Sequence, residues 1–157
     1  DLWAKEPDGG YADITWTGFM GSDVPEQYHK IFNLVRDARD AAVAFVKDRV
    51  ESGQVFFGHE VDAASRKVIT DAGYGEQFFH RTGHSIGEEV HGNGANMDGV
   101  ETQDTRQVLP YTCFSIEPGI YLAGDFGVRS EVDVYVTEHE AIVTGDPVQT
   151  AVIPILK

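Results

Sequence analysis

His80-Arg81-Thr82-Gly83-His84-Ser85-Ile86-Gly87-Glu88-Glu89-Val90-His91-Gly92-Asn93-Gly94 holds three of the chain's six histidines and four of its seventeen glycines. Glycine lets a backbone turn, or approach another group, where a side chain would block it. Histidine near neutral pH carries protons or binds metals. A hydrophobic core needs neither at that density. The stretch therefore reads as a site, and its flanks as the scaffold that holds it.

Upstream lie two helices. Residues 23–52 carry Tyr28, Ile31, Phe32, Val35, Ala38, Ala42, Phe45, Val46 and Val50 as one apolar stripe. Ser22 or Asp23 is the expected cap, Pro25 suits the first turn, and Gly53 suits a left-handed stop. Arg36, Asp37, Arg39, Asp40, Lys47 and Asp48 are expected mostly to face away. Residues 59–72 predict a second, shorter helix ending at Gly73. His59-Glu60 does not open a zinc-peptidase helix, because Ala63 stands where the second histidine would be. Before the helices, Lys5 to Gly10 is turn chemistry and Tyr11 to Phe19 alternates as a strand. Downstream, Phe78-Phe79 is a short apolar piece and residues 92–111 are loop-like. Thr112 to Leu122 is a strand interrupted by Glu117-Pro118-Gly119. Gly127 to Val136 alternates, and Ala141 to Ile155 supplies one or two final strands. A hairpin, two helices and then antiparallel strands predict a single α+β domain over residues 1–157.

Twelve basic against 26 acidic residues leave a net charge of −14, which argues against nucleic acid and anionic membranes as partners. No apolar run reaches membrane-spanning length. Cys113 is alone, so no internal disulfide forms, and a reducing, cytoplasmic compartment is expected.

Asp1, Asp13, His84, Glu117 and Glu131 each sit in a strand or tight turn rather than on an obvious solvent face. Asp1 precedes the first turn and Asp13 follows it, so a hairpin would bring them together. Two carboxylates that close repel unless a cation lies between them. Four carboxylates and one imidazole suit Mn²⁺, Co²⁺ or Zn²⁺, and bridging carboxylates would hold two such ions. The competing reading of each is an ordinary capping, turn or surface group.

Four motifs then resemble the pita-bread metallopeptidases, the creatinase/aminopeptidase-like family of methionine aminopeptidase, prolidase and Xaa-Pro aminopeptidase. They are Asp1 with Tyr11-Ala12-Asp13-Ile14-Thr15, Gly83-His84-Ser85-Ile86-Gly87 leading to Val90-His91-Gly92, Ser115-Ile116-Glu117-Pro118-Gly119-Ile120-Tyr121, and Val128-Arg129-Ser130-Glu131-Val132-Asp133. All lie in family order. The resemblance implies metal-dependent hydrolysis of an N-terminal Xaa-Pro peptide bond, with short peptides as substrates and two divalent ions, Mn²⁺ foremost. It implies that Asp1 chelates one ion, Asp13 and Glu131 bridge, and His84 and Glu117 hold the second. It further implies Glu117 as general base, His91 as a contact to substrate and to the tetrahedral intermediate, and Arg129 as an outer partner that orients ligand carboxylates. Trp16 stands where many proline peptidases carry Arg, and Ser85 where many carry Gly. The chain opens at the first implied ligand, so most of the first half of the catalytic lobe is expected to be missing, and a second copy is one way to cover the exposed sheet edge.

Two alternatives stay open. One is an inactive fragment or a pita-bread binding module. The other is a serine hydrolase, because Gly83-His84-Ser85-Ile86-Gly87 also fits G-x-S-x-G, with Asp133 and His139 following in order. Ser85→Ala separates the chemistries: a metallopeptidase keeps most of its turnover, whereas a serine hydrolase loses it, as a peptidase assay on the variant reads directly.

Overall fold

The computed structural model describes residues 1–156. Strands β1 (Leu2–Ala4) and β2 (Ala12–Ile14) form the first hairpin, with Trp3 opposite Asp13. Helix α1 (Glu26–Glu51) and helix α2 (Gly58–Asp71) follow the two periodic stretches, and Gly53 and Gly73 end them at φ +64° and +86°. The cap of α1 differs from expectation. Pro25 occupies that position with no side-chain cap bond, and the Ser22 hydroxyl turns to Asp23 instead.

Tyr11 to Phe19 is not one strand. Beyond β2 the backbone leaves its partner, and β3 (Gly18–Phe19) pairs in parallel with β10 (Ile153–Pro154) near the C-terminus. Between β2 and β3 the chain bonds elsewhere: the Thr15 carbonyl accepts the Glu131 N–H, and the Thr17 hydroxyl donates to the Arg129 carbonyl. Phe78-Phe79 forms no strand either. It follows a short 3₁₀ turn, Gly75–Gln77, that buries Phe78 and leaves Phe79 exposed.

The sheet that carries the site has the order β4 (Ser85–Ile86), β5 (Thr112–Ile116), β8 (Val132–Val136), β9 (Ala141–Thr144), all antiparallel. A separate antiparallel pair, β6 (Gly119–Tyr121) and β7 (Gly127–Arg129), is joined to it. Gly127 to Val136, expected as one strand, is therefore two. The register nevertheless does not change: Ile116 faces Val132 before the break and Gly119 faces Arg129 after it. One ribbon runs through, kinked where Pro118 removes a ladder donor. At the kink Glu117 falls opposite Glu131, and Pro118 opposite Ser130.

Helix α1 lies across both arms of this ribbon. Ala42, Val46 and Val50 pack with Phe114, Ile116, Val132, Val134 and Val136 under one arm. Ile31, Phe32, Val35 and Ala38 pack with Ile69, Phe78, Ile120 and Val128 under the other. Arg39 sits between the two clusters. It does not face away as its charge suggested: it is 2% exposed, donates from one Nη to Ser130 Oγ at 2.7 Å and to the Gln149 carbonyl at 2.9 Å, and reaches Asp40 with the rest of its guanidinium. A full-length apolar stripe would leave the polar groups of the kink unpaired. Arg39→Met is expected to strand the Ser130 hydroxyl and the Gln149 carbonyl and to destabilise the fold by about 2–4 kcal/mol, read as a lower urea midpoint at unchanged slope.

Candidate metal centre

Three elements bring the acidic groups together. Asp13 comes from β2, His84 from the residue before β4, and Glu117 and Glu131 from the kink of the ribbon. Gly83 sets how close His84 comes to the ribbon, because a Cβ at that position would lie 1.9 Å from the Ser115 carbonyl oxygen. The His84 N–H then donates to Ser115 Oγ at 3.0 Å, and that hydroxyl donates to Glu117 Oε1 at 3.1 Å.

Asp13, His84, Glu117 and Glu131 are all buried. His84 Nε2 lies 3.4 Å from Asp13 Oδ2 and 3.3 Å from Glu117 Oε1. One donor atom each from Asp13, His84 and Glu131 lies within 4.8 Å of the others. Asp1 stands at the rim, half-exposed, with its carboxylate 3.0 Å from an Arg129 Nη. The second oxygen of Glu117 is 3.2 Å from the same nitrogen. His91 meets the His84 ring edge-on at 4.3 Å between centroids. A cleft of about 410 Å³ opens over these groups. The seven residues singled out in the sequence thus line, or lie directly beneath, one cleft.

The protonation pattern is informative. His84 Nδ1 is 3.2 Å from the Ser85 carbonyl, which only accepts, so Nδ1 carries the hydrogen. Burial lowers the His84 pKa to about 4, so the ring is neutral at pH 7 and Nε2 is a bare acceptor. It faces two carboxylate oxygens. Asp13 Oδ1 and Glu131 Oε1 are buried with no hydrogen-bond partner among the described residues. Acceptors aimed at acceptors, with orphaned oxygens between them, are what a divalent cation would satisfy, and an oxygen-rich set with one imidazole fits such an ion.

Sequence reasoning missed part of this arrangement. Asp133 lies beneath Asp13: its Oδ2 accepts the Asp13 backbone N–H at 2.9 Å, and its Oδ1 is another buried orphan. Alternation put Asp133 on the same ribbon face as Glu131, and that was the available signal. His80 and Tyr121 were also passed over. The Tyr121 hydroxyl receives Arg129 Nε–H at 3.0 Å and lies 2.8 Å from His80 Nε2, so Arg129, Tyr121 and His80 form one hydrogen-bonded string along the cleft. Ser85 is bound otherwise than a nucleophile: its Oγ accepts the Gly94 N–H at 3.0 Å, and His139 is exposed beside Glu138.

The family model for metallopeptidase family M24 matches residues 1–138. An Xaa-Pro dipeptidase of Lactobacillus delbrueckii subsp. lactis is 39% identical over 124 residues, which are 78% of this chain and 30% of that protein. The dipeptidase PepE structure from Mycobacterium ulcerans superposes with a TM-score of 0.79 at 34% identity, covering 98% of this chain and 38% of the other. An Xaa-Pro dipeptidase structure from Bacillus anthracis gives a TM-score of 0.77 at 32% identity, covering 92% and 38%. The chain spans about a third of the length of the relatives it matches.

Burial raises the pKa of Glu131 and Glu117, with the Glu117 charge adding to the rise at Glu131 and the Asp13 charge to that at Glu117, and burial, with a smaller push from the Asp13 charge, brings Asp133 up to about 7. A carboxyl with a raised folded-state pKa stabilises the fold while protonated, and that contribution is lost as pH rises through the folded value. His84 works in the opposite sense, but only below its unfolded pKa near 6.5. The metal-free chain is therefore expected to lose stability as pH rises from about 6.5 through 7. Saturating Mn²⁺ is expected to remove the slope, adding about 2.7 kcal/mol at a hundred times its dissociation constant. Urea midpoints across that range, with chelator and with Mn²⁺, check both outcomes.

Proposed function

The chain belongs to metallopeptidase family M24 and has its pita-bread fold, and on that premise we propose that its cleft holds two divalent metal ions and cleaves short peptides after the N-terminal residue when Pro follows. The observation that carries this reading is the set of buried donors, two of them orphaned, converging on a neutral His84 Nε2. Asp1 would hold one ion, His84 and Glu117 the other, and Asp13 and Glu131 would bridge. Mn²⁺ is favoured by the excess of carboxylate donors over nitrogen. When bound, the ions supply Lewis-acid charge that lowers the pKa of an attacking water and polarises the scissile carbonyl.

The protein's own groups do the rest. Glu117 takes the proton of the attacking water on a carboxylate oxygen and passes it to the leaving nitrogen. Ser115 and Arg129 each hold one of its oxygens, so the proton is shared only in transit. Thr15 Oγ1 donates to Glu131 Oε2 and leaves the buried Oε1 free to ligate an ion. His91, set edge-on to His84, offers a ring nitrogen to the oxygen that gains charge in the transition state. The Arg129–Tyr121–His80 string fixes the wall along which the substrate lies. Residues 1–157 act as one unit in this reading, and the absence of a disulfide-forming pair fits a cytoplasmic enzyme.

Glu131→Gln is expected to lower turnover by more than about 100-fold and to reduce the metal retained per chain from two, measured by elemental analysis after removal of free Mn²⁺. Wild-type turnover in that variant would remove Glu131 from the bridge. Brisk cleavage of Xaa-Ala peptides with none of Xaa-Pro would overturn the specificity.

A further inference from the structure

Of the chain's seven arginines, Arg36, Arg39, Arg66, Arg106 and Arg129 pair with carboxylates, and Arg49 reaches Gln54 and lies over the Phe45 ring. Arg81 alone has a guanidinium with no hydrogen bond or ion pair among the described residues, and it lines the metal cleft. Glu101 is the acid at hand on the rim, yet its Oε1 accepts the Arg81 backbone N–H at 3.0 Å and leaves the guanidinium free.

The mount is rigid. On one side, the Phe78 and His80 carbonyls accept Arg66 donors at 2.6 and 2.7 Å. On the other, the Thr82 N–H and hydroxyl both donate to Asp62 Oδ1, at 2.9 and 2.7 Å. Asp62 and Arg66 are themselves a bidentate pair on α2. The backbone on both sides of Arg81 is thus clamped to a helix. A guanidinium offers a planar fork that fits a carboxylate.

We propose that Arg81 is a specificity-determining residue that binds a carboxylate of the peptide substrate. This deepens the peptidase reading and rests on it for the identity of the ligand. An Xaa-Pro peptide offers that carboxylate from two sources: the C-terminus of a dipeptide, one residue from the scissile bond, or an acidic N-terminal side chain. The first makes the enzyme a dipeptidase. The second makes it an aminopeptidase selective for acidic N-terminal residues.

The test compares Leu-Pro, Leu-Pro-amide and Glu-Pro-amide on the wild-type chain, Arg81→Gln and Arg81→Lys. KM and kcat are read on the Mn²⁺-loaded chain, and affinity is read by calorimetry on the metal-free chain, where nothing turns over. Arg81→Gln is expected to cut the preference for one carboxylate-bearing peptide over Leu-Pro-amide by about 10- to 100-fold, with Arg81→Lys between it and wild type. Loss confined to Leu-Pro identifies the C-terminal carboxylate, and loss confined to Glu-Pro-amide identifies the side chain. Unchanged ratios, an equal loss on all three peptides, or no carboxylate preference in the wild type overturns the proposal. Carboxylate-dependent binding that Arg81→Gln abolishes, without hydrolysis by any form, sinks the peptidase reading and leaves Arg81 as a carboxylate site.

Discussion

Glu117 and Glu131 face each other at the break of one ribbon, while Asp13 and Asp133 press in from β2 and β8. Four carboxyl groups removed from water within one small space repel, and burial penalises their charge further. The surroundings answer this only in part. Thr15, Ser115, Arg129 and the Asp13 backbone N–H each satisfy one oxygen. Asp13 Oδ2 and Glu117 Oε1 lie against a histidine nitrogen that has no proton to give, and Asp13 Oδ1, Glu131 Oε1 and Asp133 Oδ1 find no hydrogen-bond partner among the described residues. The rest of the architecture keeps this unfavourable cluster assembled, and the proposed ions are what would make it favourable.

Holding it falls mainly to α1. The helix is apolar under each arm of the ribbon and cationic at one point between them, where Arg39 reaches Ser130. Ser130 lies between Arg129 and Glu131, so a residue on the α1 side of the sheet fixes the backbone that presents two groups to the cleft. On the opposite face, Asp13 of β2 and Thr15 and Thr17 just after it do the same work with main-chain and hydroxyl bonds to residues 129–133. The kink is therefore clamped from both faces.

Much of this was legible in the residues alone. Long periodic stripes gave both helices, and carboxylates in strands are uncommon enough to stand out, so Asp13, Glu117 and Glu131 could be named. What was not legible follows from the same logic. Asp133 alternates as a solvent-facing residue should, and only the return of β2 across the sheet buries it. Arg39 sits on the charged flank of its helix, and its burial depends on a backbone break that periodicity does not encode. Residues 15–17 continue the alternation of β2, but their partners lie more than a hundred positions away. His80 and Tyr121 acquire meaning only through Arg129, which meets Tyr121 across a turn of the ribbon.

The unbroken register through the kink has a consequence for how such a chain can vary in length. One residue gained or lost within 112–121 or 127–136 would slide one arm past the other, turning Glu117 or Glu131 to the α1 side and swapping core for solvent along the whole strand. The five residues of the tip, Leu122 to Phe126, carry no such constraint: they close on the Leu122 N–H to Phe126 carbonyl bond, with Gly124 at φ +78°. Insertions and deletions among relatives should therefore collect at that tip and be absent from the arms, leaving the spacing across the hairpin variable and the spacing from each arm to its carboxylate invariant.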